Sequence, residues 1–242
     1  MKFLSHIPVV LYGLLFVVVS MVCFACGDGD KNSGASATPQ IAPSFSFFDV
    51  VGVNTPFSDV LRKSLQGILG DDAISTRNTI DLQINTDGFL SRHYPKLQGL
   101  NDALNSPLGE RVEHDTIKLA YRYAGEESLP FDYVELLFSQ YSRMPMVIQV
   151  FFAKDQLDVL TSLKNTYGVP KEYPWKQKNG KSLCWEKNGD FLFYSYVPNQ
   201  FGIPEYQVTI YFVRHLENLL EREQGKGSAL KTPPASSSKT VF

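Results

Sequence analysis

The chain has 242 residues, of which 43% are hydrophobic, 20% are charged and 13% are aromatic, and its formal net charge is −2. This composition is that of an ordinary globular protein, and it excludes a collagen, a coiled coil, a polytopic membrane protein and a disulfide scaffold. Because the basic residues form no stripe, a nucleic-acid partner held through its phosphates is disfavoured. The many Phe and Tyr residues favour a β-rich core over a helical bundle.

The first 25 residues predict export from the cytoplasm. Lys2 is their only charge, residues 7–25 are mostly apolar, and the small residue Ala25 precedes Cys26. A positive start, an apolar run and a small residue at the cleavage point are typical of a secretory signal peptide. The pair Ala25 and Cys26 resembles the end of a bacterial lipoprotein signal, although Cys23 stands where that family usually has Leu, Val or Ile.

The lipoprotein resemblance implies a location in the cell envelope and a lipid anchor. Residues 1–25 would be removed, Cys26 would be diacylated with fatty acids such as palmitate, and the protein would face the periplasm in the cell envelope. In that family Gly27 after the Cys is compatible with the outer membrane, which is therefore favoured over the inner one. Two alternatives stay open: cleavage without a lipid, and an uncleaved anchor, since 19 mostly apolar residues can just span a bilayer.

Composition divides the rest of the chain into four segments. Residues 26–44 and 225–242 are rich in Gly, Ser and Pro, and predict a flexible tether and a disordered tail. Residues 45–153 and 154–224 each predict a helix followed by a β-meander. After signal cleavage a lipidated Cys26 would leave Cys184 alone, so we expect no intrachain disulfide.

Apolar spacing predicts two strong helices. The first runs from Pro56 to Leu69, with Asn54 and Thr55 as caps and Gly70 at its end. The second begins with Asp155 as its cap and ends at 167–168. Weaker helical patterns cover residues 97–104 and 215–224.

Alternating apolar residues predict eight strands. Hairpin turns are predicted at Asp87-Gly88, Asn179-Gly180 and Asn188-Gly189. Similar helix ends followed by similar strands indicate an internal duplication; two unrelated α+β units are the alternative. The predicted fold class is α+β, with antiparallel meanders and helices packed on one face, as two related units. The predicted strands are 80–84, 119–123, 133–139, 146–152, 173–178, 181–187, 190–197 and 207–214.

A short helix ending in Leu-Gly or Tyr-Gly-x-Pro before a meander is the pattern of a known family. Its residues here are Gly52-Val53-Asn54-Thr55 leading to Val60, then Leu69-Gly70, and in the second unit Leu163, Tyr167-Gly168 and Pro170. This pattern resembles small envelope lipoproteins of the BamE (SmpA/OmlA) type, and its tandem form is similar to β-lactamase-inhibitory-protein-like modules. The resemblance implies protein–protein binding without catalysis, and it assigns no individual binding residue.

The histidines give no metal signature. His6 lies in the signal, and His93, His114 and His215 lack zinc-site spacing. We expect His93 and His114 to be solvated loop residues, with a joint functional role as the alternative.

The other reactive residues also favour structural roles. Cys184 sits in an apolar strand, which favours a core position over a nucleophile. Asp71 and Asp72 are expected to be solvated rather than an acid–base pair. The sequence therefore predicts no enzyme, no cofactor and no metal, with a hydrolase assembled from distant segments as a remote alternative.

The second meander contains the candidate partner-binding residues. Trp185, Tyr194, Tyr196 and Tyr211 would form an amphipathic aromatic surface if the strand register brought them together, and aromatic residues are typical of protein interfaces. Tyr residues packed under the helices, with their hydroxyls reaching solvent, are the alternative. Phe201 lies in a Pro- and Gly-containing loop of the kind that carries recognition.

These observations favour a non-enzymatic envelope lipoprotein that acts as an accessory or protein-binding module for another envelope protein. The alternative is a carrier of a lipid or a small apolar ligand, because a curved sheet under helices can enclose an apolar cavity.

Overall fold

The computed structural model describes residues 44–84, 88–105, 112–122, 131–152, 157–175, 180–198, 201 and 204–229. The predicted signal peptide, most of the tether and the end of the predicted tail lie outside these residues. The elements in chain order are β1 (Ser46–Phe47), β2 (Val51–Gly52), α1 (Asp59–Leu69), β3 (Ala73–Asn78), α2 (Phe89–His93), α3 (Pro95–Leu104), β4 (His114–Arg122), β5 (Tyr133–Ser139), β6 (Pro145–Phe152), α4 (Leu157–Tyr167), β7 (Lys171–Pro174), β8 (Lys181–Lys187), β9 (Asp190–Pro198), β10 (Pro204–Tyr211) and α5 (Val213–Ala229).

The described residues form one antiparallel eight-stranded sheet and a small hairpin, β1–β2. The strand order is β3-β4-β5-β6-β10-β9-β8-β7, so each half of the sheet is a four-stranded meander. The last strands of the two halves, β6 and β10, pair in the middle, with Ile148 opposite Ile210. The predicted α+β class with antiparallel meanders is confirmed, while the relation of the two units by duplication stays a prediction.

Helices cover both faces of the sheet, rather than one face as expected. On the face that we call the front, α1 and α4 pack over the even-numbered side chains of β5, β6, β9 and β10. On the back face, α2, α3 and α5 pack over residues such as Phe193 and Tyr211. Central strands carry apolar side chains on both sides, for example Leu192 and Phe193, so both faces need a cover.

The two strongly predicted helices are present as α1 and α4 on the front face, and α1 begins three residues later than the predicted start at Pro56. α1 begins at Asp59 because the Ser58 hydroxyl accepts a hydrogen bond from the Leu61 N–H (3.1 Å) and caps the helix. Thr55 instead accepts a bond from the Gly52 N–H (3.0 Å). Gly70 ends α1 at a φ of 81°, a conformation that glycine adopts without strain.

Residues 80–84 are not the predicted strand, and the edge strand is β3, just before them. The prediction of burial holds, because Ile80 and Leu82 are core residues. Their backbone groups, however, bind side chains of α3 and of the residue that caps it: the Leu82 N–H donates to Asn101 Oδ1 (2.8 Å), and Asn105 Nδ2 donates to the Ile80 carbonyl (3.1 Å). Side-chain amides thus replace a sheet partner.

The predicted turns have three outcomes. Asn188 and Gly189 have φ values of 54° and 85° and join β8 to β9 in two residues, as predicted. The predicted Asn179-Gly180 turn was wrong in length, because Pro174 pairs with Lys181 and leaves a six-residue connection. Gly88 precedes α2 at a φ of 66° instead of closing a hairpin. Asp87 and Asn179 lie outside the described residues.

The last two predicted elements begin earlier in the chain than expected. The strand predicted at 207–214 is β10, which ends at Tyr211, and α5 starts at Val213. α5 also runs to Ala229, five residues into the segment predicted as a tail. Leu216 and Leu219 are buried against the back face and fix this helix to the sheet.

Candidate functional site

An apolar cleft of about 330 Å³ opens on the front face at the junction of the two halves of the sheet. Its volume falls at the lower end of the range of small-molecule sites. Strands β6, β9 and β10 form its floor, α4 forms one wall and the β1–β2 hairpin forms the other. The lining residues are Ser46, Phe47, Phe48, Asp49, Phe131, Ile148, Val150, Phe152, Val159, Ser162, Leu163, Thr166, Tyr167, Leu192, Val208 and Ile210.

The floor follows from strand register. Ile148 and Val150 of β6 lie opposite Ile210 and Val208 of β10, and directly opposite residues point to the same face. All four side chains are buried, so the floor is a continuous hydrocarbon surface.

The α4 wall leaves space because this helix is docked mainly at its C-terminal end. Tyr167 packs edge-on against Phe45, and its hydroxyl accepts a hydrogen bond from the Ser46 N–H (3.2 Å). The Gly168 carbonyl, just after the helix, accepts a bond from Trp185 Nε1 (2.7 Å). Val159 and other side chains earlier in α4 are only partly buried, and the cleft lies beneath them.

The hairpin wall holds an exposed aromatic residue in an uncommon conformation. Phe48 and Asp49 have φ values of 50° and 54°, in the left-handed region, which is unfavourable for a bulky side chain. Phe48 is 47% exposed and contacts the rings of Phe47 (4.6 Å between centroids) and Phe131 (5.8 Å). Strain of this kind concentrates at functional sites.

The polar groups of the lining lie at the rim of the cleft. Ser46 Oγ donates a hydrogen bond to Asp49 Oδ1 (3.0 Å), and Ser162 and Thr166 are exposed on α4. Among the described residues that line the cleft, Asp49 has the one charged side chain. The arrangement can therefore bind a hydrocarbon group in its floor and a small polar group at its rim.

An aromatic row continues the floor toward the β9–β10 loop. Tyr206 lies opposite Phe152 of the cleft, and Tyr196 lies opposite Tyr206. The two Tyr rings are 4.9 Å apart, and both residues are half-buried. Phe201, in the loop that follows, is 77% exposed. Two of the five predicted partner-binding residues, Tyr196 and Phe201, therefore reach the surface beyond the cleft.

The other three predicted partner-binding residues belong to the core. Trp185 and Tyr194 are buried on the front face. Tyr211 is fully buried on the back face, where its hydroxyl donates to the Leu82 carbonyl (2.7 Å) and burial raises its pKa. The expectation of one exposed aromatic surface from these residues was wrong. Neighbouring residues of a strand point to opposite faces of the sheet, so Tyr211 points to the back face while Ile210 points to the cleft floor on the front face.

Two of the reactive residues have structural surroundings. Cys184 is buried, and burial raises the pKa of its thiol to about 12, as fits the predicted core position. Asp72 is not solvated as expected: its side chain is 1% exposed and accepts bonds from Arg62 Nε (2.7 Å) and Nη2 (2.9 Å). The Arg62 guanidinium holds the pKa of this carboxyl below its usual value. Asp71 is exposed.

His93 and His114 do not come together. His114 is buried, contrary to the expectation of a solvated residue, and its Nδ1 and Nε2 lie 2.7 Å from Glu223 Oε2 and 2.8 Å from the Leu104 carbonyl. It therefore joins β4 to the end of α3 and to α5. His93 lies just before α3, whereas His114 contacts the last residue of that helix. A ten-residue helix is about 15 Å long, so the two histidines lie at opposite ends of it.

Sequence reasoning missed the hairpin wall and α4 as parts of a site. Three Phe residues, Phe45, Phe47 and Phe48, follow the tether within four positions, which was the available signal for an ordered segment there. The gap beneath α4 has no local signal, because it depends on how the helix docks.

Within the described ranges, no three His, Cys, Asp or Glu residues are grouped so that they would hold a metal ion. None of the helices in that part of the chain combines the length and apolar character that crossing a membrane requires. Cys26 lies outside it. Comparisons with models of protein families, with curated proteins and with solved structures give no match.

Proposed function

We propose that this protein is a non-enzymatic envelope lipoprotein, anchored through a lipid on Cys26, whose folded part binds a small apolar ligand. The observation that carries the proposal is the cleft, whose described lining places hydrocarbon and aromatic side chains in the floor and walls and polar groups at the rim. Such a lining recognises a ligand by burial rather than by acid–base or nucleophilic chemistry. This makes the carrier hypothesis the favoured one.

The expected affinity is modest. Burial is worth about 0.8 kcal/mol for each CH₂ group, so a chain of about ten carbon atoms gains on the order of 8 kcal/mol. Association costs at least about 4 kcal/mol in lost freedom of motion. The difference, about 4 kcal/mol at most, corresponds to a dissociation constant of about 1 mM or weaker for a chain of this length.

The binding test is a titration of the mature chain with N-phenyl-1-naphthylamine, an uncharged dye that fluoresces in apolar sites. We expect saturable binding at one site, and a loss of at least tenfold in affinity for Ser162→Trp, which fills the rim. Lys164→Trp is the matched control, because two residues turn the helix by about 200° and point the ring away from the cleft. Absence of saturable binding to the folded wild-type chain would contradict the proposal.

The anchor is tested by the intact mass of the full-length chain expressed in a diderm bacterium. The expected mass shows cleavage before Cys26 plus acyl chains, and Cys26→Ala should carry no acyl mass. An uncleaved chain, or cleavage without acyl mass, would replace the lipid anchor by one of the other two arrangements of the N-terminus.

A protein partner is the second candidate, favoured by the exposed side chain of Phe201 in the loop that joins β9 to β10, the strands that carry the paired Tyr196 and Tyr206 rings. Its test is crosslinking in cells. Phe201→Ser should remove a defined crosslinked partner, whereas Val169→Ser should keep it, because Val169 is 96% exposed but lies after α4, away from this loop. Equal crosslinking of both variants would contradict this candidate.

A further inference from the structure

The shape of the cleft floor fits one slender chain. The floor residues of β6 run from Ile148 to Phe152, which at about 3.3 Å for each residue makes a trough about 13 Å long. In the described part of the chain, the floor spans β6, β10 and Leu192 of β9 across the strands, with neighbouring strands about 4.8 Å apart. A volume of about 330 Å³ over this length leaves room for a single hydrocarbon chain and little else.

The polar groups at the rim of the cleft determine which head group such a chain can carry. These groups are the hydroxyls of Ser46, Ser162 and Thr166 and the carboxylate of Asp49, and among the residues that the structure describes no Lys or Arg lines the cleft. A carboxylate accepts hydrogen bonds from hydroxyl groups, and it repels a second anion. Lys187 Nζ lies 5.1 Å from the ring centroid of Tyr167, but Lys187 does not line the cleft.

We propose that the ligand is a single-chain lipid with an uncharged, hydroxyl-bearing head, of the monoacylglycerol type, and that Asp49 is the residue that discriminates against an anionic head. The inference rests on the proposed function, since it names the ligand class of the same cleft. Fatty acids and phosphate-bearing lipids then bind more weakly than a neutral lipid with the same chain.

The experiment is displacement of bound N-phenyl-1-naphthylamine from the mature chain by 1-decanoylglycerol and by decanoate, which share one chain length. At pH 7.5 decanoate is ionised, and we expect it to need at least a tenfold higher concentration than decanoylglycerol. Asp49→Asn should reduce this ratio to below threefold by improving the binding of decanoate. Asn tolerates a positive φ as well as Asp does, so this variant keeps the hairpin.

Lys187→Gln is the matched charge variant and should leave the ratio unchanged. Equal or better binding of decanoate to the wild-type chain overturns the inference, as does a ratio that Asp49→Asn does not change or that Lys187→Gln does. If the dye binds but neither lipid displaces it, the inference about the ligand class is overturned and the proposed function is not. Failure of the dye to bind overturns the proposed function as well.

Discussion

Helices α1 and α4 occupy corresponding places on the front face, each before its half of the sheet, but they are docked differently. α1 buries Leu61, Leu65 and Leu69 along its whole length. The side chains of α4 that face the sheet, Leu160 among them, are only partly buried. Helix stability in proteins comes mainly from packing of the apolar face. The difference therefore predicts that α1 contributes more to stability than α4, and that α4 is the helix that can adjust to a ligand in the cleft.

Truncating one leucine in each helix tests this difference with the largest expected effect. Leu65→Ala should cost between 2 and 5 kcal/mol of unfolding free energy, because it removes a fully buried side chain. Leu163→Ala should cost about 1 kcal/mol, because that side chain is partly buried, and it should weaken dye binding. Urea denaturation measures both. Equal costs would contradict the unequal docking.

The ion pair between Arg62 of α1 and Asp72, just after this helix, predicts a pH dependence of stability. The pKa of Asp72 is lowered in the folded state, so its contribution to stability is present above its unfolded pKa, about 3.9, and is lost as pH falls through the folded value. Asp72→Asn should therefore destabilise the protein at pH 7, and the difference from wild type should shrink below about pH 4.

Denaturation midpoints at pH 7, 5 and 3 measure this dependence, with Asp71→Asn as the control, because Asp71 is adjacent but exposed. A difference between wild type and Asp72→Asn that stays constant down to pH 3 would rule out the charged pair as its cause.

The smallest effect on stability is expected at the tip of the hairpin wall. Asn tolerates the left-handed φ of residue 48 better than Phe does, so Phe48→Asn should relieve about 1 kcal/mol of backbone strain. It also removes the contacts of a half-exposed ring, so the net change in unfolding free energy should be less than about 1 kcal/mol. Dye affinity should nevertheless fall severalfold. Phe48→Leu keeps an apolar side chain at the same φ and should retain most of the affinity; identical affinity of both variants and wild type would remove Phe48 from the site.

Local patterns in the sequence predicted much of the sheet. The bounds of β5 and β8 agree with the predicted strands, because period-two alternation and the Asn188-Gly189 turn are local signals. Residues 80–84 share that alternation, yet they pair with side chains of α3, which no local pattern distinguishes from pairing with a strand. Burial and hydrogen-bonding partner are separate properties, and the sequence pattern reports the first.

The candidate site was less predictable because it depends on contacts between distant segments. The floor requires β6 to pair with β10, strands separated by more than 50 residues. Tyr211 illustrates the consequence. Its alternation with Ile210 was correctly predicted, but only the positions of α3 and α5 show that the face carrying Tyr211 is covered. The rim likewise combines Asp49 with Ser162 of α4.

Hydrogen–deuterium exchange of the mature chain, with and without saturating N-phenyl-1-naphthylamine, tests the central claim most directly. Partly buried helices open more easily than fully packed ones. We predict that amides of α4 exchange faster than those of α1 in the free protein, and that the dye slows exchange in α4 and leaves α1 unchanged. Equal protection of the two helices in the free protein, with no response of α4 to the dye, would contradict the account.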